Sequence, residues 1–214
     1  MRGFGQRYTV DAALAWLDAQ LRPLDAETVL LRDAGGRVLA ASIVSHVDVP
    51  GFDRATMDGY AVVAERTDGA TAYNRPRLTV IGDSMPGRPF HGSLAALEAV
   101  RIMTGAPMPP GADAVLPAEW IEVEPRAPGH EAGEVIYALD AVSPGKNVGR
   151  RGEDIAHGTT VLAPGRQLRP QDLGVLSSIG QPEALVVRRP RVRLAITGNE
   201  LLPSGSAPDR KSVV

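Results

Sequence analysis

Asp53, Arg54, Thr56 and Asp58 place four polar side chains within six residues, on a stretch that cannot be a regular helix or a central strand. Pro50 fixes its own φ, pushes Val49 toward an extended conformation and offers no N–H, while Gly51 tolerates almost any backbone angle. A loop stiffened in this way can hold carboxylates still enough to bind a metal or the counter-ion of an anion. The plainer reading is a hairpin turn at a domain crossover. Asp58 is the first candidate carboxylate, positioned to orient a metal or a metal-bound water, with an ordinary Asp-Gly turn former as the alternative. Thr104, in Met103-Thr104-Gly105-Ala106-Pro107, offers a hydroxyl and adjacent backbone N–H groups to an oxyanion, or is simply a strand-end threonine. Arg150, Arg151, Glu153 and Asp154 form a dense cluster of both signs. Such a cluster binds an anion, or it is a solvated or inter-domain salt-bridge network.

The elements around these residues are short. Thr9 caps an expected helix in which Val10, Ala13, Leu14, Leu17 and Leu21 share a face, Asp11 lies in the first turn and Pro23 marks the stop. Val29-Leu30-Leu31 is apolar, Gly35-Gly36 interrupts it, and Val38-Leu39-Ala40-Ala41 reads as a resumed short helix. Ile43-Val44 begins an extended approach to the stiff loop. Asp58-Gly59 supplies turn chemistry ahead of the β-leaning Tyr60-Ala61-Val62-Val63. Strands follow at Leu78-Thr79-Val80-Ile81, Val100-Arg101-Ile102, Ala114-Val115-Leu116 and Val135-Ile136-Tyr137, a small β-domain of barrel or sandwich type. Pro125 to Gly133 reads as a polar surface loop. A helix is expected from Gln171 to Ser178, with Leu173, Leu176 and Ser177 on one face and Gly180 at its end. That helix and the N-terminal one are expected to pack together, with the β-domain inserted between them. Val192 to Gly198 reads as an apolar strand running into Thr-Gly, the start of an α/β nucleotide-binding unit. The rest of such a unit does not follow before Val214.

Composition narrows the function classes. A chain of 214 residues with 43% hydrophobic content can bury about 70% of its unfolded surface in one large or two small domains. Its 18 prolines and 23 glycines favour turns and short strands over a helical bundle. A formal charge of −2 gives no reason to expect nucleic acid or an anionic membrane as partner. Cysteine is absent, which excludes a thiolate nucleophile and a sulfur-ligated metal. The four histidines, His46, His91, His130 and His157, are scattered without zinc spacing and read as surface or loop residues. With no apolar leader and no spanning run, a soluble cytoplasmic protein is expected. Lys146 and Lys211 are the only lysines among 23 basic residues. Arginine suits a bidentate grip on tetrahedral oxyanions, although a GC-rich genome gives the same bias.

Val49-Pro50-Gly51-Phe52-Asp53 with Thr56-Met57-Asp58-Gly59-Tyr60-Ala61-Val62 resembles the signature loop of the molybdopterin molybdenumtransferases, the family of bacterial molybdenum-insertion enzymes and the gephyrin E-domain. Further blocks agree in order: Arg101 to Pro107, Gly111-Ala112-Asp113-Ala114-Val115, Gly149-Arg150-Arg151-Gly152-Glu153-Asp154-Ile155, and Thr197-Gly198-Asn199-Glu200-Leu201. The resemblance covers nearly the whole chain, as the N-terminal half of the family's length.

It implies a mixed α+β fold. An elongated, discontinuous α/β first domain (residues 1–49 and 146–187) is interrupted by a small β-domain (50–145), and residues 188–214 open a pterin-binding α/β domain. It implies insertion of molybdate into adenylated molybdopterin with release of AMP, aided by Mg²⁺ or a similar divalent cation. Asp58, Thr104 and Asp154 would be catalytic, and Arg151, Thr197, Gly198 and Glu200 would bind substrate; the residues that hold the metal are not identified. The family works as a homodimer whose cleft lies between the pterin domain of one subunit and the first two domains of the other, and other molybdenum cofactor biosynthesis proteins are possible partners. The Asp-Ser/Thr-Asn expected soon after Thr-Gly-Asn-Glu is missing, so a fragment, or a reading frame broken near residue 209, is expected, with no turnover by this polypeptide alone. A non-catalytic scaffold of the gephyrin type is the alternative function, and a generic oxyanion-binding α/β fragment a weaker third.

Overall fold

The computed structural model describes residues 8–124, 134–193, 201–202 and 205–207. In chain order its elements are α1 (Val10–Gln20), β1 (Ala26–Leu30), β2 (Ile43–Val44), β3 (Arg54–Ala55), β4 (Gly59–Val62), β5 (Arg77–Ser84), β6 (Glu98–Ile102), β7 (Ala114–Pro117), β8 (Ile121–Val123), β9 (Val135–Ala138), β10 (Val148–Gly149), β11 (Thr160–Leu162), α2 (Pro170–Ser178) and β12 (Glu183–Val187). The chain is mixed α/β with few helices. The loop expected at 125–133 and the Thr-Gly-Asn-Glu segment lie outside the described residues, as does His130.

Strands β4 to β9 form a 6-stranded sheet in the order β7-β4-β6-β5-β9-β8. Every pairing is antiparallel except β5 with β6, which run parallel with a register irregularity between Val80 and Gly82. Alternation splits these strands between two cores. Tyr60, Val62, Leu78, Leu116 and Ile136 pack on one side. Ala61, Val100, Ile102 and Val115 pack on the other. Strands β4 and β7 are therefore buried along their full length, which is why both read as continuous apolar runs rather than alternating ones. The sheet is open rather than a closed barrel, with β7 and β8 at its edges.

A separate core joins the two ends of the chain. Here β1 pairs with β12 and β2 with β11, all antiparallel, around Leu39, Ile43, Leu162, Leu168, Leu176 and Val186. Val38 and Leu39 make isolated strand bridges to Gln167 and Val186 instead of resuming a helix. Apolar runs of this length suit either element, and the neighbouring extended segments decide.

Helix α1 forms as its cap predicts, with Thr9 Oγ1 accepting from the Ala12 N–H at 3.2 Å. Its expected packing against α2 is not found: α1 has no buried residue. The apolar side of α2 is met by Leu168, Ala184 and Val186 from its own core. No helix among the described residues is long and apolar enough to cross a membrane.

Asp172, in the first turn of α2, is buried and carries much of this region's polar order. Its Oδ1 accepts from Arg166 Nη2 at 2.7 Å, and its Oδ2 accepts from the Arg169 backbone N–H at 2.9 Å. These bonds, the Arg166 guanidinium first and the backbone N–H second, hold its carboxyl well below the usual aspartate range. A depressed folded pKa contributes stability that is present above the ordinary aspartate pKa and is lost as pH falls through the folded one. Asp172→Asn should therefore lower the thermal midpoint at pH 7 by roughly 5 °C. The gap to wild type should close on acidification, as followed by circular dichroism melts across pH 2–7.

Candidate functional site

The stiff loop becomes a strand with neighbours on both edges. Ala55 donates to the Ala106 carbonyl at 3.0 Å and accepts from the Gly105 N–H at 2.8 Å. Successive residues of a strand direct their backbone groups to opposite edges. Thr56 accordingly donates to the Asn147 carbonyl at 3.0 Å on the other edge, where β3 pairs with β10 through Arg54↔Gly149 and Ala55↔Val148. The Val49–Pro50 peptide that leads in is cis. Asn147, opposite Thr56, has φ 58, a conformation that asparagine tolerates better than most residues.

One edge of β3 carries Asp58 and Thr104. Asp58 Oδ1 accepts from the Thr104 backbone N–H at 2.8 Å and from Thr104 Oγ1 at 2.7 Å. The backbone N–H first, then the hydroxyl, lowers the Asp58 pKa, so this exposed carboxylate stays ionised at neutral pH. Thr104 does not present free donors to an oxyanion as the sequence suggested; both go to Asp58. The pair is a fixed anion on a rigid support, flanked by the exposed side chains of Met57 and Met103.

The other edge carries the mixed-charge cluster. Residues 150–153 form a tight turn closed by Glu153 N–H donating to the Arg150 carbonyl at 3.1 Å, with Gly152 at φ +72. A turn of this kind needs glycine at its third position. Asp53 spans the turn: its Oδ1 accepts from the Arg151 N–H at 2.8 Å and its Oδ2 from Arg150 Nη1 at 2.9 Å. Asp48 does the same one step further on, accepting from Arg151 Nε at 2.6 Å and from the His157 N–H at 2.8 Å. Arg54 donates to Glu153 Oε1 at 3.0 Å and lies 3.6 Å from Asp154 Oδ2. Both aspartates are held below the usual range, chiefly by backbone N–H groups, from His157 for Asp48 and from Arg151 for Asp53.

Of the sequence candidates, Asp58 and Thr104 touch each other, while Arg151 and Asp154 belong to the cluster on the far edge of β3. Among the described residues no hydrogen bond or ion pair joins the two groups; the strand itself is the link. Thr197, Gly198 and Glu200 lie outside the described residues. Sequence reasoning passed over Asp48 as a partner and left Asp53 and Arg54 unassigned. The only available signal was opposite charge, because these partners are 97 and 103 residues apart.

Magnesium binds six oxygen ligands and keeps several waters, with one or two carboxylates from the protein. Among the described residues no group of three or more His, Asp or Glu could hold a metal ion. Asp48 and Asp53 are taken up by arginine and backbone donors and Glu153 and Asp154 face Arg54, which leaves Asp58 as the ordered carboxylate on the other edge. These residues by themselves do not make a magnesium site.

Residues 8–180 match the model of the MoeA N-terminal region, domains I and II. The chain belongs to the MoeA family. It is 41% identical over 179 residues to molybdopterin molybdenumtransferase 2 of Mycobacterium tuberculosis H37Rv, covering 84% of this chain and 42% of that protein. It is 36% identical over 199 residues to the molybdopterin molybdenumtransferase of Haemophilus influenzae, covering 92% of this chain and 46% of that protein. A crystal structure of the molybdopterin biosynthesis MoeA protein from Pyrococcus horikoshii OT3 superimposes with a TM-score of 0.76 at 40% identity, covering 86% of this chain and 46% of that one. The chain thus spans about half the length of the MoeA relatives it matches. Asp58, Thr104, Arg151 and Asp154 all fall inside the matched region.

Proposed function

We propose that this chain supplies one wall of a molybdenum-insertion site, acting in the transfer of molybdate into adenylated molybdopterin with release of AMP. What supports the reading is the Asp58–Thr104 pair: an ionised carboxylate, immobilised by two donors, exposed at the end of a strand gripped on both edges. The family membership directs that chemistry to molybdenum cofactor biosynthesis. In this reading residues 1–49 and 146–187 form one domain, 50–145 a second, and 188–214 the start of a pterin-binding third, in which Thr197, Gly198 and Glu200 contact the pterin nucleotide. Asp58, Thr104 and Asp154 face the reacting groups, and Arg151 holds an anionic substrate. A homodimer completes the cleft, and the rest of the third domain supplies the opposite wall, where a divalent cation such as Mg²⁺ would find its remaining ligands.

Fixed charges of both signs suit this reaction, because a tetrahedral dianion must approach a pyrophosphate linkage and a phosphate must leave. The test is a chimera of this chain through residue 193 with the remaining part of the Mycobacterium tuberculosis relative. Given molybdate, Mg²⁺ and adenylated molybdopterin, it should release AMP and yield molybdenum cofactor, while the 214-residue chain alone should not. A chimera that folds and dimerises yet binds the pterin nucleotide without molybdate-dependent AMP release would overturn the proposal.

A further inference from the structure

The two arginines at the 150–153 turn differ from ordinary surface arginines in what holds them. Each is tied by a carboxylate from the other crossover, and each tie uses only one guanidinium nitrogen: Nη1 of Arg150 to Asp53 and Nε of Arg151 to Asp48. Each of these carboxylates is itself pinned by a backbone N–H, of Arg151 for Asp53 and of His157 for Asp48. Each arginine is thus oriented by its carboxylate, although their side chains remain 63% and 65% exposed. Among the described residues Arg150 Nε and Nη2 and Arg151 Nη1 and Nη2 make no hydrogen bond, with Arg150 Nη2 lying beside Gly145, so adjacent positions of one turn carry N–H donors that have no acceptor. A guanidinium keeps five N–H donors in a planar fork, and its pairing with a tetrahedral oxyanion is directional.

Arg54, Arg150 and Arg151 face Asp48, Asp53, Glu153 and Asp154, so the cluster carries more negative than positive charge. Net charge does not favour an anion here, so the direction in which the donors are held has to supply the preference.

Building on the anion-binding reading of Arg151, we propose that Asp48 and Asp53 are positioning residues that hold Arg151 and Arg150 as a paired clamp for a tetrahedral dianion. Arg150 is then a second binding residue beside Arg151. The ligand is molybdate itself or the phosphate of a nucleotide, which share this chemistry.

The experiment is isothermal titration of the full 214-residue chain with sodium molybdate and, separately, with AMP. Saturable binding of molybdate names the oxyanion substrate as the occupant, and saturation by AMP alone names the nucleotide phosphate; either supports the clamp. Arg150→Ala and Arg151→Ala should each weaken binding about tenfold, the scale of one charge-assisted hydrogen bond. The decisive variants are Asp48→Asn and Asp53→Asn. Each removes a negative charge, so simple electrostatics predicts tighter binding, whereas loss of positioning should weaken it roughly three- to tenfold. Asp18→Asn, which removes the same charge on α1, should change nothing. If the aspartate variants lose their far-UV circular dichroism signature, Arg150→Lys keeps the charge without the fork and should still weaken binding. Tighter binding by Asp48→Asn and Asp53→Asn would overturn the positioning role and leave the Arg151 reading standing. No binding of either anion by wild type, or wild-type binding by both arginine variants, would overturn both.

Discussion

Asp58→Asn should lower molybdate-dependent AMP release by the chimera about 100-fold, the scale seen when one positioned group is removed from an active site. Asparagine keeps the size and one carbonyl oxygen, so it can still accept from the Thr104 N–H and hydroxyl. What it loses is the charge. A fall in kcat with unchanged affinity for adenylated molybdopterin is therefore the expected pattern, because the fold and the support of the side chain survive. Thr104→Val separates support from charge. It removes the hydroxyl that donates to Asp58 but leaves the backbone N–H, the larger cause of the lowered Asp58 pKa. Carboxyl titration by NMR should show that pKa rising toward, without reaching, the ordinary aspartate value, and Thr104→Ser should restore it. Activity indistinguishable from wild type in Asp58→Asn would remove the residue from the reaction.

The largest effect on stability should come from Gly59→Ala. Gly59 lies between Ile102 of β6 and Pro117 of β7, and a Cβ built there would come within 2.1 Å of the Leu116 carbonyl oxygen. The obstacle is backbone in the middle of the sheet, not the end of a flexible side chain, so the strands must separate or the residue must leave its register. Cost on the order of 3 kcal/mol or more is expected, a fall in thermal midpoint of roughly 10 °C for a chain of this size. Gly51→Ala is the matching control. Its nearest contact would be the Asp48 carbonyl at 3.9 Å, so its change should stay within about 0.5 kcal/mol. Equal midpoints for the two variants would contradict the register of β4 described above.

Helix α1 was readable because a cap acts over three residues: Thr9 and the Ala12 N–H are close in any chain that starts a helix there. The strands from Tyr60 to Tyr137 were readable because β-branched and apolar runs between turn residues carry their own period. The short Ile121–Val123 strand was missed, since three residues carry too little pattern. Candidates such as Asp58 and Arg151 stood out in the sequence, because Pro50, Asp58 and the 150–154 cluster restrict or charge the backbone locally.

Their partners could not be named. Whether Val38–Leu39 was helix or strand depended on Gln167 and Val186, far along the chain. That Thr104 serves Asp58, and that Asp48 and Asp53 claim Arg151 and Arg150, rests on two crossovers laid antiparallel against β3. Charge and hydrogen-bonding capacity belong to the residue and travel with the sequence. Direction and pairing belong to the tertiary fold, because they are set by which distant backbone lies within three ångströms, and local chemistry holds no record of that.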